Sequence, residues 1–334
     1  MRISAVRILQ IALIASSLAM LPVRAAETFG DLFQPTDIAI HPNGTLYIAD
    51  SGNQRIVILD REGRLVGKFG RKGLGPGEFQ RPCAVGFLSA DEVLVADNTI
   101  NKIQIFTAKG EYRGVFLQGE LGAGQIWVLP DGKVLTTESD GFLFNFKIGD
   151  ENPPPPLRLY DRDGHFLGGF GALYSHEIPF VAAQKNHGSA AFFGDRIAFA
   201  RVAENKLEVF HDGKVQSSLY APAFPVREPD GEMKQTKQAD GSVSFRMVAE
   251  SDAHCLDLTA IDGEHLLMLR AKAAEDDGVL PTQLVVLSWN GELEKVLPGT
   301  YRAKSMALDP KDRTVYLIDE NDDGWFLVKV PLAL

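Results

Sequence analysis

Short runs in which apolar and polar residues alternate fill residues 33 to 70. The runs occupy residues 37–40, 46–49, 55–59 and 65–69, and turn residues separate them. A period of two over four to eight residues predicts β-strands. The pattern therefore predicts a unit of four short strands.

This unit recurs 47 residues further along the chain, between residues 79 and 117. The recurring markers are Pro35, Asp50, Ile56, Gly63 and Phe69, which return as Pro82, Asp97, Ile103, Gly110 and Phe116. A four-stranded unit that repeats at this period is the signature of a β-propeller blade.

A glycine turn between the third and fourth strands marks the later units. These turns occupy residues 60–63, 107–110, 161–164, 211–213 and 289–291. A sixth unit ends one strand short, and residues 26–30 are predicted to supply that strand and close the ring. The chain is therefore predicted to be an all-β, six-bladed propeller of four-stranded antiparallel blades. The predicted blades span about 33–70, 81–117, 125–171, 189–220, 253–297 and 304–330 plus 26–30.

The first residues predict export. Arg2 and Arg7 precede an apolar run over residues 8–21, and Val23-Arg24-Ala25 offers small residues at the cleavage positions. This arrangement is typical of a secretory signal peptide, here residues 1–25. The run is shorter than the roughly twenty residues that cross a bilayer, so the propeller, residues 26–334, is predicted to be periplasmic or secreted without stable membrane insertion. A retained anchor is the alternative.

The charge balance argues against a nucleic-acid partner. The chain has 34 Lys and Arg against 44 Asp and Glu, a net charge of −10, and the predicted signal peptide contains three of the Arg and no acid. Such a surface repels polyanions and anionic lipid. The two cysteines, Cys83 and Cys255, begin the inner strands of blades that stand opposite each other. We expect two free, partly buried thiols that the channel separates beyond the reach of a disulfide.

Two stretches carry a family resemblance. Residues 69–79 read Phe-Gly-Arg-Lys-Gly-Leu-Gly-Pro-Gly-Glu-Phe and are followed by Pro82, while residues 48–56 read Ile-Ala-Asp-Ser-Gly-Asn-Gln-Arg-Ile. Both resemble NHL repeats of the six-bladed propeller superfamily, in an exported bacterial form. The resemblance is strong over residues 33–117, and beyond them it implies only the fold.

The connections between the predicted strands are unequal on the two faces. Tight turns share one face, whereas the long segments 70–80, 138–156, 171–188, 221–252 and 271–281 share the other. Repeat proteins collect insertions on their binding face, although neutral variation would give the same pattern. Within the longest insertion, residues 233–237 and 242–248 predict a hairpin.

Candidate ligand-binding residues lie where the inner strands begin, at the channel mouth of the long-loop face. They are Asp37, Cys83, His187, His254 and Lys304. Arg55 and Lys102 occupy equivalent positions in two repeats and would form a ring of charge facing a ligand. The alternative is structural, with Asp50 and Asp97 ordering their loops through backbone N–H groups.

No cofactor is predicted, and a divalent metal, zinc or calcium, is a weaker alternative. His187 and His254 are zinc-type ligands, but they lack the regular placement that a site needs. Asp319, Asn321 and Asp323 match the start of a calcium loop, whose twelfth position holds a valine instead of glutamate. The resemblance implies that a metal could bind at the channel mouth, because some related six-bladed propellers, the amidating lyases and lactonases among them, hold one there.

These observations favour an exported binding or scaffold protein that engages a protein, peptide or glycan through the long-loop face. The alternative, which rests on the family resemblance, is a metal-dependent lyase or lactonase-like enzyme with its site at the channel mouth. The sequence contains no nucleophile elbow, phosphate-binding loop or His-Glu-x-x-His motif. Whether the protein is catalytic therefore stays open at this point.

Overall fold

A computed structural model describes residues 23–29, 31–119, 124–137, 155–174, 185–201, 206–220, 230–237, 243–250, 255–271, 281–322 and 324–333. The strands are β1 (Val23–Phe29), β2 (Pro35–Ile40), β3 (Leu46–Asp50), β4 (Arg55–Leu59), β5 (Leu65–Phe69), β6 (Pro82–Phe87), β7 (Glu92–Asp97), β8 (Lys102–Thr107), β9 (Tyr112–Gln118), β10 (Ile126–Val128), β11 (Val134–Thr137), β12 (Leu157–Tyr160), β13 (Phe166–Phe170), β14 (Gly188–Phe193), β15 (Arg196–Arg201), β16 (Lys206–His211), β17 (Lys214–Tyr220), β18 (Asp230–Lys237), β19 (Val243–Glu250), β20 (Cys255–Ala260), β21 (His265–Ala271), β22 (Thr282–Ser288), β23 (Leu293–Val296), β24 (Met306–Asp309), β25 (Thr314–Asn321) and β26 (Gly324–Pro331).

Six antiparallel four-stranded sheets form the six blades, as predicted. Blades one to five are β2–β5, β6–β9, β10–β13, β14–β17 and β20–β23, each in chain order from the channel outward. Blade six combines β24, β25 and β26 with β1, which pairs with β26 along the outer edge. The closing strand is therefore confirmed, and it begins at Val23, three residues before the predicted segment.

The remaining pair of strands forms the predicted hairpin. β18 and β19 pair from Asp230 opposite Glu250 to Lys237 opposite Val243, between blades four and five. Each strand is longer than the sequence pattern indicated. No helix among the described residues is long and apolar enough to cross a membrane.

The core is divided among the contacts between neighbouring blades. Six clusters of buried residues each join two adjacent blades, so the ring is packed at every junction. The strand β3 illustrates how. Leu46 and Ile48 pack toward blade six, whereas Tyr47 and Ala49, which point the other way, pack toward blade two. Both faces of a strand near the channel are thus covered, and all five residues of β3 are buried.

The glycine turns adopt the conformation that the sequence predicted. The φ angles are +91° at Gly63, +87° at Gly110, +85° at Gly164, +69° at Gly213 and +76° at Gly291. Such angles disfavour any residue with a Cβ atom. At Gly164 the space is restricted as well, because a Cβ atom would lie 2.3 Å from the carbonyl oxygen of Phe116 in the preceding blade. The turn of one blade therefore packs directly on its neighbour.

Candidate functional site

The inner strands of five blades enclose a cavity of about 210 Å³ in the central channel. Its polar wall includes the side chains of Asp37, Gln125 and Asp257, from blades one, three and five. Its apolar wall includes Ile126 and Trp127 of β10. The site is therefore a small cavity in which two carboxyl groups face an amide and an aromatic ring.

The two carboxyl groups belong to a ring of side chains at the starts of the inner strands. Going around the channel by blade, the ring positions are occupied by Asp37, Ala84, Gln125, Ser189, Asp257 and Ser305. In blades one, two and five a register shift, a β-bulge, lies just before or at this position. A bulge re-aims the local side chains.

Four members of this ring accept a hydrogen bond from a backbone N–H of the next blade. Asp37 Oδ2 accepts from Val85 (2.8 Å), Ser189 Oγ from Leu258 (3.0 Å), Asp257 Oδ2 from Met306 (2.8 Å) and Ser305 Oγ from Ile38 (3.4 Å). A buried backbone N–H without an acceptor is costly, so these bonds fasten the inner strands together at four of the six junctions between blades. The ring is first of all a structural feature.

Ser305 connects the two carboxyl groups. Its Oγ lies 2.9 Å from Asp37 Oδ1 and 3.1 Å from Asp257 Oδ2. A hydroxyl group has a single proton, so it can donate to only one carboxylate at a time. The second contact becomes a hydrogen bond when that carboxyl group is protonated and donates to Oγ. The geometry therefore favours a proton retained between the two acids.

The electrostatics agree with this geometry. Burial raises the pKa of Asp257 to about 6, against bonds from the Met306 N–H and the Ser189 hydroxyl that lower it, and the charge of Asp37 raises it further. Burial also raises the pKa of Asp37, partly offset by the bond from Val85. The pKa of the Cys255 thiol is raised well above its usual value by burial and by the charge of Asp257. This thiol is therefore neutral and a poor nucleophile.

The ring is incomplete beside blades two and three. Ala84 has no acceptor in its side chain, and the buried Oε1 atom of Gln125 has no hydrogen-bond partner among the described residues. The cavity wall includes Val85 of blade two and Gln125, Ile126 and Trp127 of blade three. An amide oxygen and two largely committed carboxyl groups can hold a small polar group, but they do not form a nucleophile and base pair.

The predicted ligand-binding residues are spread over the molecule. Asp37 lies in the ring and lines the cavity. Cys83 is buried at the start of β6 and, like Cys255, forms no disulfide, as predicted. His187 is half-buried just before β14, and Lys304 is exposed next to Ser305. His254 lies outside the described residues.

Arg55 is held by two acids on the outer part of the blade. Its Nε lies 2.7 Å from Asp50 Oδ2 and its Nη2 lies 2.9 Å from Asp31 Oδ2. Lys102, its repeat equivalent, is half-buried at the start of β8. The cavity wall includes neither residue. A role for either in ligand binding stays a prediction for a surface outside the channel.

Asp50 and Asp97 order the chain that enters their own blades. Asp50 Oδ1 accepts the N–H of Phe33 at 2.8 Å, and Asp97 Oδ2 accepts the N–H groups of Gln80 and Arg81 at 2.6 and 3.0 Å. The structural interpretation of this repeated aspartate is therefore supported by its hydrogen bonds.

The acidic turn in blade six is part of a strand pair. Asp319 accepts the N–H of Arg302 at 2.5 Å, and Asn321 pairs with Gly324 across the end of β25 and β26. Asp323 lies outside the described residues. Asp161, Asp163 and His165 form a cluster with metal-ligand spacing in the exposed turn of blade three. There, Asp161 Oδ1 accepts the N–H groups of the other two, which accounts for the turn without an ion.

The sequence interpretation missed Asp257, Ser305 and Gln125. Asp257 is two residues past Cys255, which the pattern did single out, and Ser305 is next to Lys304. The missed signal is the alignment of the strand starts. Counting back from the turn after each inner strand puts these three residues level with Asp37.

Comparison with known proteins supports the repeat. A family model described as NHL repeat matches residues 34–59, in blade one. Over 105 residues the chain is 29% identical to Protein brain tumor of Drosophila melanogaster, covering 31% of this chain and 10% of that protein. Over 107 residues it is 32% identical to NHL repeat-containing protein 3 of Homo sapiens, covering 30% of this chain and 31% of that protein. The chain thus spans less than a third of the length of either relative.

Among solved structures, a gluconolactonase from Xanthomonas campestris superposes with a TM-score of 0.54 over 90% of this chain and 86% of that one. The sequence identity in that superposition is 14%, so the similarity concerns the fold alone.

Proposed function

We propose that this NHL-repeat, six-bladed β-propeller is a binding or scaffold protein that engages a protein, peptide or glycan through its long-loop face. The observation that supports the proposal most is the unequal length of the connections. The longest segments between blade strands are 138–156, from the second to the third strand of blade three, and 171–187 and 221–254, each from one blade to the next. In four-stranded blades all three connections start from the same face. The longest gap contains its own hairpin, β18–β19.

The ring in the channel supports the same proposal. Its two carboxyl groups accept hydrogen bonds from backbone N–H groups and from Ser305. They therefore connect neighbouring blades, and this leaves them few free lone pairs for binding a substrate. Repeat scaffolds that present loops on one face commonly bind other macromolecules there. The net charge of −10 favours protein, peptide or glycan over nucleic acid. The basic start and apolar run of residues 1–25 support export to the periplasm or the medium.

Replacing the hairpin tests the assignment of the face. Because Asp230 and Glu250 are paired, residues 231–249 can be replaced by Asn-Gly without separating the flanking chain. We expect recovery of the bound partners to fall about tenfold or more, as a loss of roughly 1.4 kcal/mol of binding free energy would cause. Quantitative mass spectrometry after affinity capture measures this.

The matched control alters the opposite face, with Lys109→Glu and Lys214→Glu in two exposed turns. It should retain the partners of the wild type. Partners that survive the hairpin replacement but are lost in the control would refute the proposed face.

The alternative function, a metal-dependent lyase or lactonase-like enzyme, is favoured by one observation. Asp37, Asp257 and the amide oxygen of Gln125 face one cavity, and oxygen atoms are the ligands that calcium prefers. We expect the purified full-length protein to contain no stoichiometric metal, because the carboxyl oxygens already accept hydrogen bonds. Elemental analysis after dialysis checks this. One equivalent of calcium or zinc that disappears in Asp37→Asn would reverse the ranking of the two functions.

A further inference from the structure

The connection from blade one to blade two is an exception to the acidic character of the chain. Residues 68–81, which we call the basic connector, contain Lys68, Arg71, Lys72 and Arg81 but only one acid, Glu78. All four cationic side chains are exposed, and that of Arg71 is 81% exposed. A positive patch thus lies on a protein with a net charge of −10.

The basic connector is a folded platform. The N–H of Gly73 donates to the carbonyl oxygen of Phe79 at 3.0 Å, and the N–H of Phe79 donates to the carbonyl oxygen of Arg71 at 2.8 Å. Glu78 closes the turn, because its carboxylate accepts the N–H of Gly75 at 2.9 Å and pairs with Arg71 at 2.9 Å. These bonds fix the backbone before any ligand arrives.

Blade two supports the platform from below. Gln104, a buried residue of β8, accepts the N–H of Gly77 at 3.0 Å and donates to the carbonyl oxygen of Glu78 at 2.9 Å. Phe79 is fully buried, with its ring centroid 5.6 Å from that of Phe106. A surface with a fixed backbone loses little entropy when it binds.

On this rigid platform one apolar side chain points outward. Leu74 is 68% exposed, more than any other large apolar residue that the structure describes. The sequence on either side is glycine and proline, which present the leucine without neighbouring side chains to cover it. The platform thus offers an apolar contact beside positive charges.

We propose that the basic connector is a docking site for an acidic peptide segment of a partner protein. An apolar side chain of the segment packs on Leu74, and its carboxylates pair with Lys72 and Arg81. Arg71 keeps its bond to Glu78 and so maintains the platform. The proposal rests on the proposed binding function and names one site and one ligand class for it.

A short acidic peptide fits better than a nucleic acid. The rest of the surface is acidic and repels a long polyanion, whereas a short segment needs attraction only within a screening length of about 8 Å. The platform presents an aliphatic side chain, while proteins that bind single-stranded nucleic acid stack the bases on aromatic rings.

The test is selection of a display library of random twelve-residue peptides on the full chain. We expect enriched peptides to combine Asp or Glu with Leu, Ile or Phe. Their affinity should fall about tenfold or more in Lys72→Glu/Arg81→Glu and in Leu74→Ser, and it should weaken as salt is raised.

Matched controls keep the test specific. Leu65→Ser removes another exposed leucine, 61% exposed, and Lys109→Glu/Lys214→Glu reverses two other exposed charges. Both controls should bind like the wild type, and circular dichroism should show that all variants remain folded.

Three outcomes would overturn the docking site. They are no enrichment of acidic peptides, enriched peptides that bind all variants equally, and random single-stranded RNA bound tightly through the same residues. Peptides that ignore the platform variants but are lost with the hairpin would refute this site alone and leave the proposed binding function standing. If peptide binding depended on neither the platform nor the hairpin, and the hairpin replacement also left the captured partners unchanged, the docking site and the proposed binding function would both be refuted.

Discussion

Replacing Arg201 by methionine is expected to lower the free energy of unfolding by about 3–5 kcal/mol, the usual cost of removing one partner of a buried ion pair. Arg201 and Glu208 are each only 2% exposed, and the Arg201 Nη2 lies 2.9 Å from Glu208 Oε2. Without the guanidinium, the carboxylate of Glu208 stays buried, and among the described residues the cation that remains paired with it is Lys206, at 3.4 Å.

Arg201 also orders the chain that enters blade four. Its Nη1 donates to the carbonyl oxygen of Lys185 at 3.0 Å and to Asn186 Oδ1 at 3.1 Å, and its Nη2 donates to the carbonyl oxygen of Ala172. Methionine fills a similar volume but supplies none of these donors. The loss therefore combines an unbalanced charge with three lost hydrogen bonds.

A double-mutant cycle separates these contributions. Glu208→Gln removes the buried charge, so Arg201→Met/Glu208→Gln should be more stable than the sum of the two single losses predicts, by about 1–3 kcal/mol. Urea unfolding at neutral pH measures each variant. Strict additivity would contradict the idea that the unbalanced carboxylate accounts for much of the cost.

Arg201 also shows why blade four escaped the sequence pattern. It ends β15 as Asp50 ends β3 and Asp97 ends β7, and each of these residues ties the entering chain to its blade. The aspartates accept N–H groups, whereas the arginine donates to carbonyl oxygens. Blade four thus performs the same structural task with the opposite chemistry, so a motif written as aspartate fails to find it there.

The first two blades could be predicted almost to the residue because local signals coincide there. Alternation gives the strands, Gly63 and Gly110 give the turns, and Asp50 and Asp97 give the loop anchors. The closing strand β1 followed from counting strands, although its start at Val23 did not, since pairing with β26 depends on a partner 300 residues away.

The channel ring could not be predicted from alternation. A β-bulge lies between Cys255 and Asp257 and another between Pro35 and Asp37, and each extra residue moves the following side chains to the other face. In blade five the sequence pattern therefore directed attention to Cys255. Blade six has no such register shift, and there the predicted residue, Lys304, was wrong by one position. The side chains that meet in the channel are Asp257, two residues after Cys255, and Ser305, the residue after Lys304.

That ring gives the second large expected effect, a stability that falls as pH rises. The pKa of Asp257 is about 6 in the folded protein because burial and the charge of Asp37 disfavour the carboxylate, whereas the usual pKa of an aspartate is 3.8. Below the lower value both states are protonated and nothing is lost. Between the two values the unfolded chain ionises while the fold retains the proton, so the fold loses stability up to about pH 6.

Asp257→Asn should remove this dependence. The amide has the shape of the protonated acid and can still accept the N–H of Met306. Relative to the wild type, the variant should gain about 2 kcal/mol between pH 4 and pH 7, since each pKa unit corresponds to 1.36 kcal/mol and part of the effect lies below pH 4. Urea unfolding at pH 4, 5, 6 and 7 measures the difference.

Asp161→Asn is the control with the opposite sign. Asp161 lies in an exposed turn, where it accepts hydrogen bonds from the backbone N–H groups of His165 and Asp163. These bonds and the side chain of His165 lower the pKa of Asp161. Its carboxylate stabilises the fold above its unfolded pKa, so this variant should be less stable than the wild type and should show no gain between pH 4 and pH 7. If Asp257→Asn differed from the wild type by the same amount at pH 4 and pH 7, no proton would be retained between Asp37 and Asp257, and Ser305 would bond only one of them.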